Sequence, residues 1–162
     1  MPETRYFPLI AGLELEYQIS AAEGIGTLKF QVLSLETSGS ITVAQCRRTS
    51  AWNGKAETSG ATVTVADNGV FSGKYREFPL PLAVGDGWDA DPRRYEVESL
   101  SEEVSLPAGA FKGCLKVSYL IAGGDGGSGA RYYAPGVGFV LESCNDEVGP
   151  FEKKLTRFSI PK

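Results

Sequence analysis

Strict two-residue alternation over long stretches is the feature that most restricts this chain. Phe111, Leu115, Val117, Tyr119 and Ile121 fall on one parity, and Lys112, Lys116 and Ser118 on the other. Successive side chains of a strand point to opposite faces, so such a stretch buries one face and wets the other. Leu13, Leu15, Tyr17 and Ile19 alternate in the same way with Glu14, Glu16 and Gln18, as do Leu28, Phe30 and Val32 with Lys29 and Gln31. No window sustains a helical period. The chain therefore reads as all-β, with helix a minor component at most.

Shorter apolar runs extend the series. Ile41–Val43 and Val63–Val65 mark two strands, and Asp67-Asn68-Gly69 is a hairpin turn into Val70-Phe71, because Asn-Gly accepts the positive φ of tight strand connections. Arg94–Glu98, Glu103–Leu106 before the turn Pro107-Ala108-Gly109, Phe139–Leu141 and Phe151–Ile160 follow. The last of these, with Lys153 and Lys154, reads as an exposed strand whose charges guard a sheet edge. These runs amount to about ten strands. At 162 residues the chain forms one domain, 1–162, long enough to bury a core without disulfides. A weak internal repeat divides it into 1–77 and 78–162: Phe7-Pro8-Leu9-Ile10-Ala11-Gly12 resembles Pro81-Leu82-Ala83-Val84-Gly85, with Leu15 and Trp88 at equivalent places. Such a segment is equally a common strand-entry turn.

Composition removes several functions. There is no histidine, so imidazole-activated serine or cysteine nucleophiles and His-based zinc sites are absent. Cys46, Cys114 and Cys144 form no CxxC pair. Cys114 with Cys144 is the preferred disulfide, on neighbouring expected strands, and free buried thiols are the equal alternative. A net charge of −4 with scattered basic pairs argues against nucleic acid as a partner. No apolar run reaches membrane-helix length. Met1–Arg5 lacks a basic segment followed by an apolar core, so the chain reads as cytoplasmic or as the mature part of an exported protein.

Candidate sites are few. Gly124-Asp125-Gly126-Gly127-Ser128-Gly129 has GxGxxG spacing, but Arg131 to Gly136 follows, aromatic and broken by proline, where a dinucleotide site needs a helix. A flexible connection is expected instead. Asp86, Asp89 and Asp91 form the one weak metal candidate, an acidic turn without the remaining ligands of a calcium loop. No catalytic residue stands out and no cofactor is implied. Of the aromatics, Trp88, Tyr132, Tyr133 and Phe139 are the candidates for lining a ligand site. Tyr132 and Tyr133 must face opposite sides of a strand, one ring inward and one outward.

Four ordered segments, Tyr6 to Leu9, Pro81 to Trp88, Leu106 to Val117 and Tyr133 to Gly138, resemble a bacterial exported, lipoprotein-associated domain of unknown function of the TapB-like group. Leu15 replaces a tryptophan usual in the first segment, and Ser105-Leu106 replaces a second β-branched residue before the proline. The resemblance implies a single antiparallel sheet, strongly curved or wrapped into an incomplete barrel like the half-barrel of LolA-type carriers, and a periplasmic or extracellular location. It transfers no catalytic residues. The function expected is a non-enzymatic envelope or secreted module that binds a lipid, another hydrophobic ligand or a protein partner in its concave face. A structural or adhesive surface domain is the alternative, and a small carboxylate-based hydrolase the third.

Overall fold

The computed structural model of the protein describes residues 2–123, 126–145 and 149–161. After one turn of 3-10 helix, Pro2–Tyr6, come β1 (Glu14–Ala21), β2 (Gly24–Ser38), β3 (Ile41–Trp52), β4 (Lys55–Ala66), β5 (Gly69–Ser72) and β6 (Tyr75–Pro79). The second half supplies β7 (Gly87–Ala90), β8 (Arg93–Leu106), β9 (Gly109–Ile121), β10 (Ser128–Ala134), β11 (Gly138–Asn145) and β12 (Phe151–Ser159). All twelve belong to one sheet in the order β6-β5-β4-β3-β2-β1-β12-β11-β10-β9-β8-β7. Two six-stranded meanders are thus joined through the antiparallel pair β1–β12.

The sheet rolls up. β6 and β10 lie eight places apart in the strand order, which at about 4.8 Å per strand would separate them by about 38 Å in a flat sheet. Instead Arg131 of β10 reaches Glu77 of β6 at 3.0 Å, and the rings of Phe78 and Tyr133 are 5.1 Å apart. Tyr75 of β6 meets Tyr95 of β8 at 5.7 Å. The result is a nearly closed barrel with its seam between β6 and β7 and one continuous core inside.

The N-terminal segment caps one end. Tyr6 donates its hydroxyl to the Gly113 carbonyl at 3.1 Å, the Gly136 amide donates to the Arg5 carbonyl, and the Phe7 ring stands edge-on to Phe30. Gly12 and Gly85, both at positive φ, open β1 and β7 with the same hydrogen bonds. The Gly12 amide donates to Val32 and the Val32 amide to Leu13, while the Gly85 amide donates to Val97 and the Val97 amide to Asp86. Leu15 then faces Phe30 where Trp88 faces Tyr95.

Several expectations are corrected. The sheet has twelve strands, not about ten: β6 and β7, of five and four residues, are too short to show a period, and β10 is visible in the sequence only as its Tyr-Tyr pair. Arg94–Glu98 and Glu103–Leu106 are one strand, β8, broken in register rather than in continuity. β12 is not an edge, because the chain end returns to pair with both β1 and β11. All three cysteines are free and buried. Cys114 and Cys144 sit on β9 and β11 with β10 between them, so their backbones are at least two strand spacings apart, more than about 9–10 Å, beyond the reach of a disulfide. Within the glycine-rich segment, Gly124 and Asp125 lie outside the described residues.

Candidate functional site

The barrel interior is not uniformly apolar. Glu142 on β11 is in phase with Val140 and Cys144, Arg131 on β10 is in phase with Tyr133, and Lys153 on β12 is in phase with Leu155, so strand parity carries these charges inward. Glu77 of β6 enters from the far edge of the sheet. Arg131 joins the two carboxylates: its Nη1 donates to Glu142 Oε1 at 2.6 Å and its Nη2 to Glu77 Oε1 at 3.0 Å. Its Nε donates to the Tyr133 hydroxyl at 3.0 Å, and its guanidinium lies over the Phe139 ring, 4.3 Å from the centroid.

Hydroxyl donors complete the carboxylates. Tyr133 donates to Glu77 Oε1 at 2.6 Å, Ser72 to Glu77 Oε2 at 2.8 Å, and Tyr119 to Glu142 Oε2 at 2.7 Å. Burial works against the Arg131 charge, but Tyr133, Glu77 and Glu142 more than offset it and hold its pKa well above the usual arginine value. Burial likewise pushes Tyr133 and Tyr119 up, so both stay protonated as donors. A buried ion triad of this kind is stable only because its polar atoms are matched; removing one member strands the others.

Lys153 differs. It pairs with Glu142 in the strand ladder, yet among the described residues its ammonium makes neither a hydrogen bond nor an ion pair. It sits 5.6 Å from the Phe139 ring centroid, and burial, reinforced by the Arg131 charge, pushes its pKa down to about 8. Arg48 of β3 also lacks an ion pair among the described residues.

Between these groups lies a cavity of about 240 Å³. Phe7, Leu15, Leu28, Phe30 and Phe139 form its apolar wall, and Tyr17, Ser72 and Tyr75 add hydroxyls. Four charges line it: Arg48, Arg131 and Lys153 against Glu77. Leu28, Arg48 and Lys153 also line an outer hollow of about 490 Å³ bounded by Ile19, Ser50 and Glu57. Ile19, Ser50 and Glu57 lie towards the β1–β2 and β3–β4 turns, so this hollow is at the end away from the N-terminal cap, and the cations shared with it mark the mouth of the cavity.

The four aromatics singled out in the sequence do not converge. Phe139 lines the cavity; Tyr133 is fully buried behind it, in the hydrogen-bonded triad. Trp88 stacks on Tyr95 at 5.4 Å, away from the cavity lining. Tyr132 faces outward beside Lys116, in a surface groove with Leu120, which is 65% exposed. The inward and outward division of the Tyr-Tyr pair follows from strand parity. Asp86, Asp89 and Asp91 are exposed, Asp89 is paired with Arg94 at 2.9 Å, and no three potential ligands converge for a metal among the described residues. Sequence reasoning missed Arg48, Glu77, Arg131, Glu142 and Lys153. Charges on the apolar parity of β10, β11 and β12 were the available signal.

No family model matches the sequence, and no curated protein is significantly similar to it. The fold, however, recurs among solved structures. A presumed exported protein with a YmcC-like fold from Bacteroides fragilis superimposes with a TM-score of 0.71 at 18% identity, covering 94% of this chain and 98% of its own. A presumed lipoprotein from Parabacteroides distasonis superimposes with a TM-score of 0.68 at 17% identity, covering 95% and 98%. Among the described residues no helix is long and apolar enough to cross a membrane. The chain has the barrel-like, all-β architecture of these two proteins.

Proposed function

We propose that the protein is a non-enzymatic extracytoplasmic module that holds a small hydrophobic molecule inside its barrel. The observation that carries this reading is the open cavity itself: an apolar wall of five side chains left uncovered inside an otherwise filled core. The fold likeness to a presumed exported protein and a presumed lipoprotein supports the location, as does the motif resemblance to the TapB-like group. Against the hydrolase alternative, both interior carboxylates are bound to Arg131 and to tyrosine hydroxyls. The matching entry turns of β1 and β7 support descent of the two halves, 1–77 and 78–162, from one repeated unit.

Native mass spectrometry of protein purified without delipidation tests the proposal. An adduct of small-lipid mass that disappears on organic extraction is the expected result. A bare single-chain mass, with no adduct regained on incubation with hydrophobic probes, would overturn it. The outer groove of Tyr132 and Leu120 favours a second reading, a surface that contacts another protein, and would then become the leading one.

A further inference from the structure

The cations around the cavity are not all directly paired, and the unpaired ones define a ligand class. Arg131 is matched by two carboxylates, Glu77 and Glu142. Lys153 and Arg48, at the junction of the cavity and its mouth, are matched by none among the described residues; Glu57, at the rim of the outer hollow, pairs with neither. Both interior carboxylates are taken up by Arg131, Tyr133, Ser72 and Tyr119, so Lys153 has no direct counter-ion among the described residues, while Arg48 is exposed at the mouth. An ammonium withdrawn from water and set beside two arginines is unfavourable unless an anion joins it. The apolar wall continues inward from these cations to Phe7, Leu15 and Phe30 at the capped end.

Resting on the reading of the cavity as a ligand site, we infer that its ligand is a medium-chain amphiphile with a single carboxylate head. The head sits against Lys153 and Arg48, and the chain runs inward along Leu28, Leu15, Phe30 and Phe139. A single unpaired ammonium in the cavity, with Arg48 exposed at its mouth, suits a monoanion better than a phosphate, which carries between one and two charges at neutral pH. The inner volume of about 240 Å³ lies just below the range of about 300–1,000 Å³ typical of drug-sized sites, which limits the chain to medium length.

Binding should also take up a proton above neutral pH. Lys153 faces Glu142 of β11, Arg131 of β10, Arg48 of β3, Glu77 of β6 and the Tyr17 hydroxyl of β1; a bound carboxylate among them shifts the balance towards the ammonium.

A matched series of probes, decanoate, decanol and decyltrimethylammonium, tests this by calorimetry at pH 7 on wild type, Lys153→Met and Arg48→Met. Decanoate should bind at least tenfold more tightly than decanol, and decyltrimethylammonium weakest. Lys153→Met should cut decanoate affinity about tenfold while leaving decanol unchanged, and Arg48→Met should act in the same direction. Raising the pH to 10 should bring wild-type decanoate affinity down towards that of Lys153→Met. Equal affinities for decanoate and decanol, or a decanoate preference untouched by Lys153→Met, would overturn the anionic class while leaving the cavity a hydrophobic site. Binding of none of the three would overturn the ligand-site reading as well.

Discussion

Replacing Lys153 with Met should stabilise the ligand-free fold at pH 7. The folded-state pKa of this amine is about 8, against an ordinary value of 10.5. A gap of about 2.5 at 1.36 kcal/mol each sets an upper bound of about 3.4 kcal/mol on the penalty for keeping the ammonium charged in the barrel. The cavity mouth gives the amine some access to water, so a gain of about 1–2 kcal/mol is expected. Methionine keeps the apolar stem against Phe139 and removes the charge.

The direction with pH follows from proton linkage. Between pH 8 and 10.5 the unfolded chain retains a proton that folded Lys153 has released, so the wild type gains stability relative to the variant as pH rises through that window. Below pH 8 both states are charged and the penalty is present in full. Urea denaturation of both proteins at pH 7 and pH 10 measures the difference directly. The variant should lead at pH 7 and lose most of that lead by pH 10. A variant equal to or less stable than wild type at pH 7, or a difference that ignores pH, would refute the claim that Lys153 is an unmatched interior cation.

Arg131→Met should destabilise the fold by about 3–5 kcal/mol in urea denaturation, because it leaves Glu77 and Glu142 buried without their cation; adding Glu77→Gln and Glu142→Gln should recover part of the loss. Gly129→Ala would place its Cβ 2.4 Å from the Tyr119 ring, which Glu142 holds in place, and should lower stability by about 1–3 kcal/mol. Gly60→Ala on β4, with nothing near its Cβ, should be neutral or slightly stabilising in the same urea denaturation. Thiol titration should count three free cysteines in denaturant, while in native protein at pH 8 Cys46 and Cys114, both pushed up to about 11 by burial, should resist alkylation.

Period-two patterning was enough to place β1, β2 and β9, because each carries a clean inward series such as Leu13, Leu15 and Tyr17, while the curvature of the sheet was implied by the motif resemblance alone. What it could not supply was closure. β6 and β7 form the seam with so few residues that neither pattern nor propensity rises above a turn, and strand order depends on pairings distant in sequence, such as Leu15 with Phe158. The Gly12 and Gly85 turns were legible because a positive φ and a fixed hydrogen-bond pattern leave a mark on local sequence. The polar interior was not, since a lysine two residues before Leu155 looks the same whether its strand is an edge or the middle of a barrel.

That ambiguity bears on why Lys153 is a lysine. The fold does not need its charge: Leu155 beside it is fully buried, Phe139 already covers its stem, and Arg131 completes its triad without it. An uncharged side chain of the same length would pack there and remove a like-charge contact with Arg131. Arg131, in contrast, is held by three hydrogen bonds and supports residues from β6, β10 and β11, so its charge has a structural role within the barrel. Sites at which a protein is less stable than a simple substitution would make it are where function is most often found. On that argument the matched and unmatched cations separate into two roles: Arg131 ties β6 to β10 and β11, and Lys153 stands without a negative partner among the described residues.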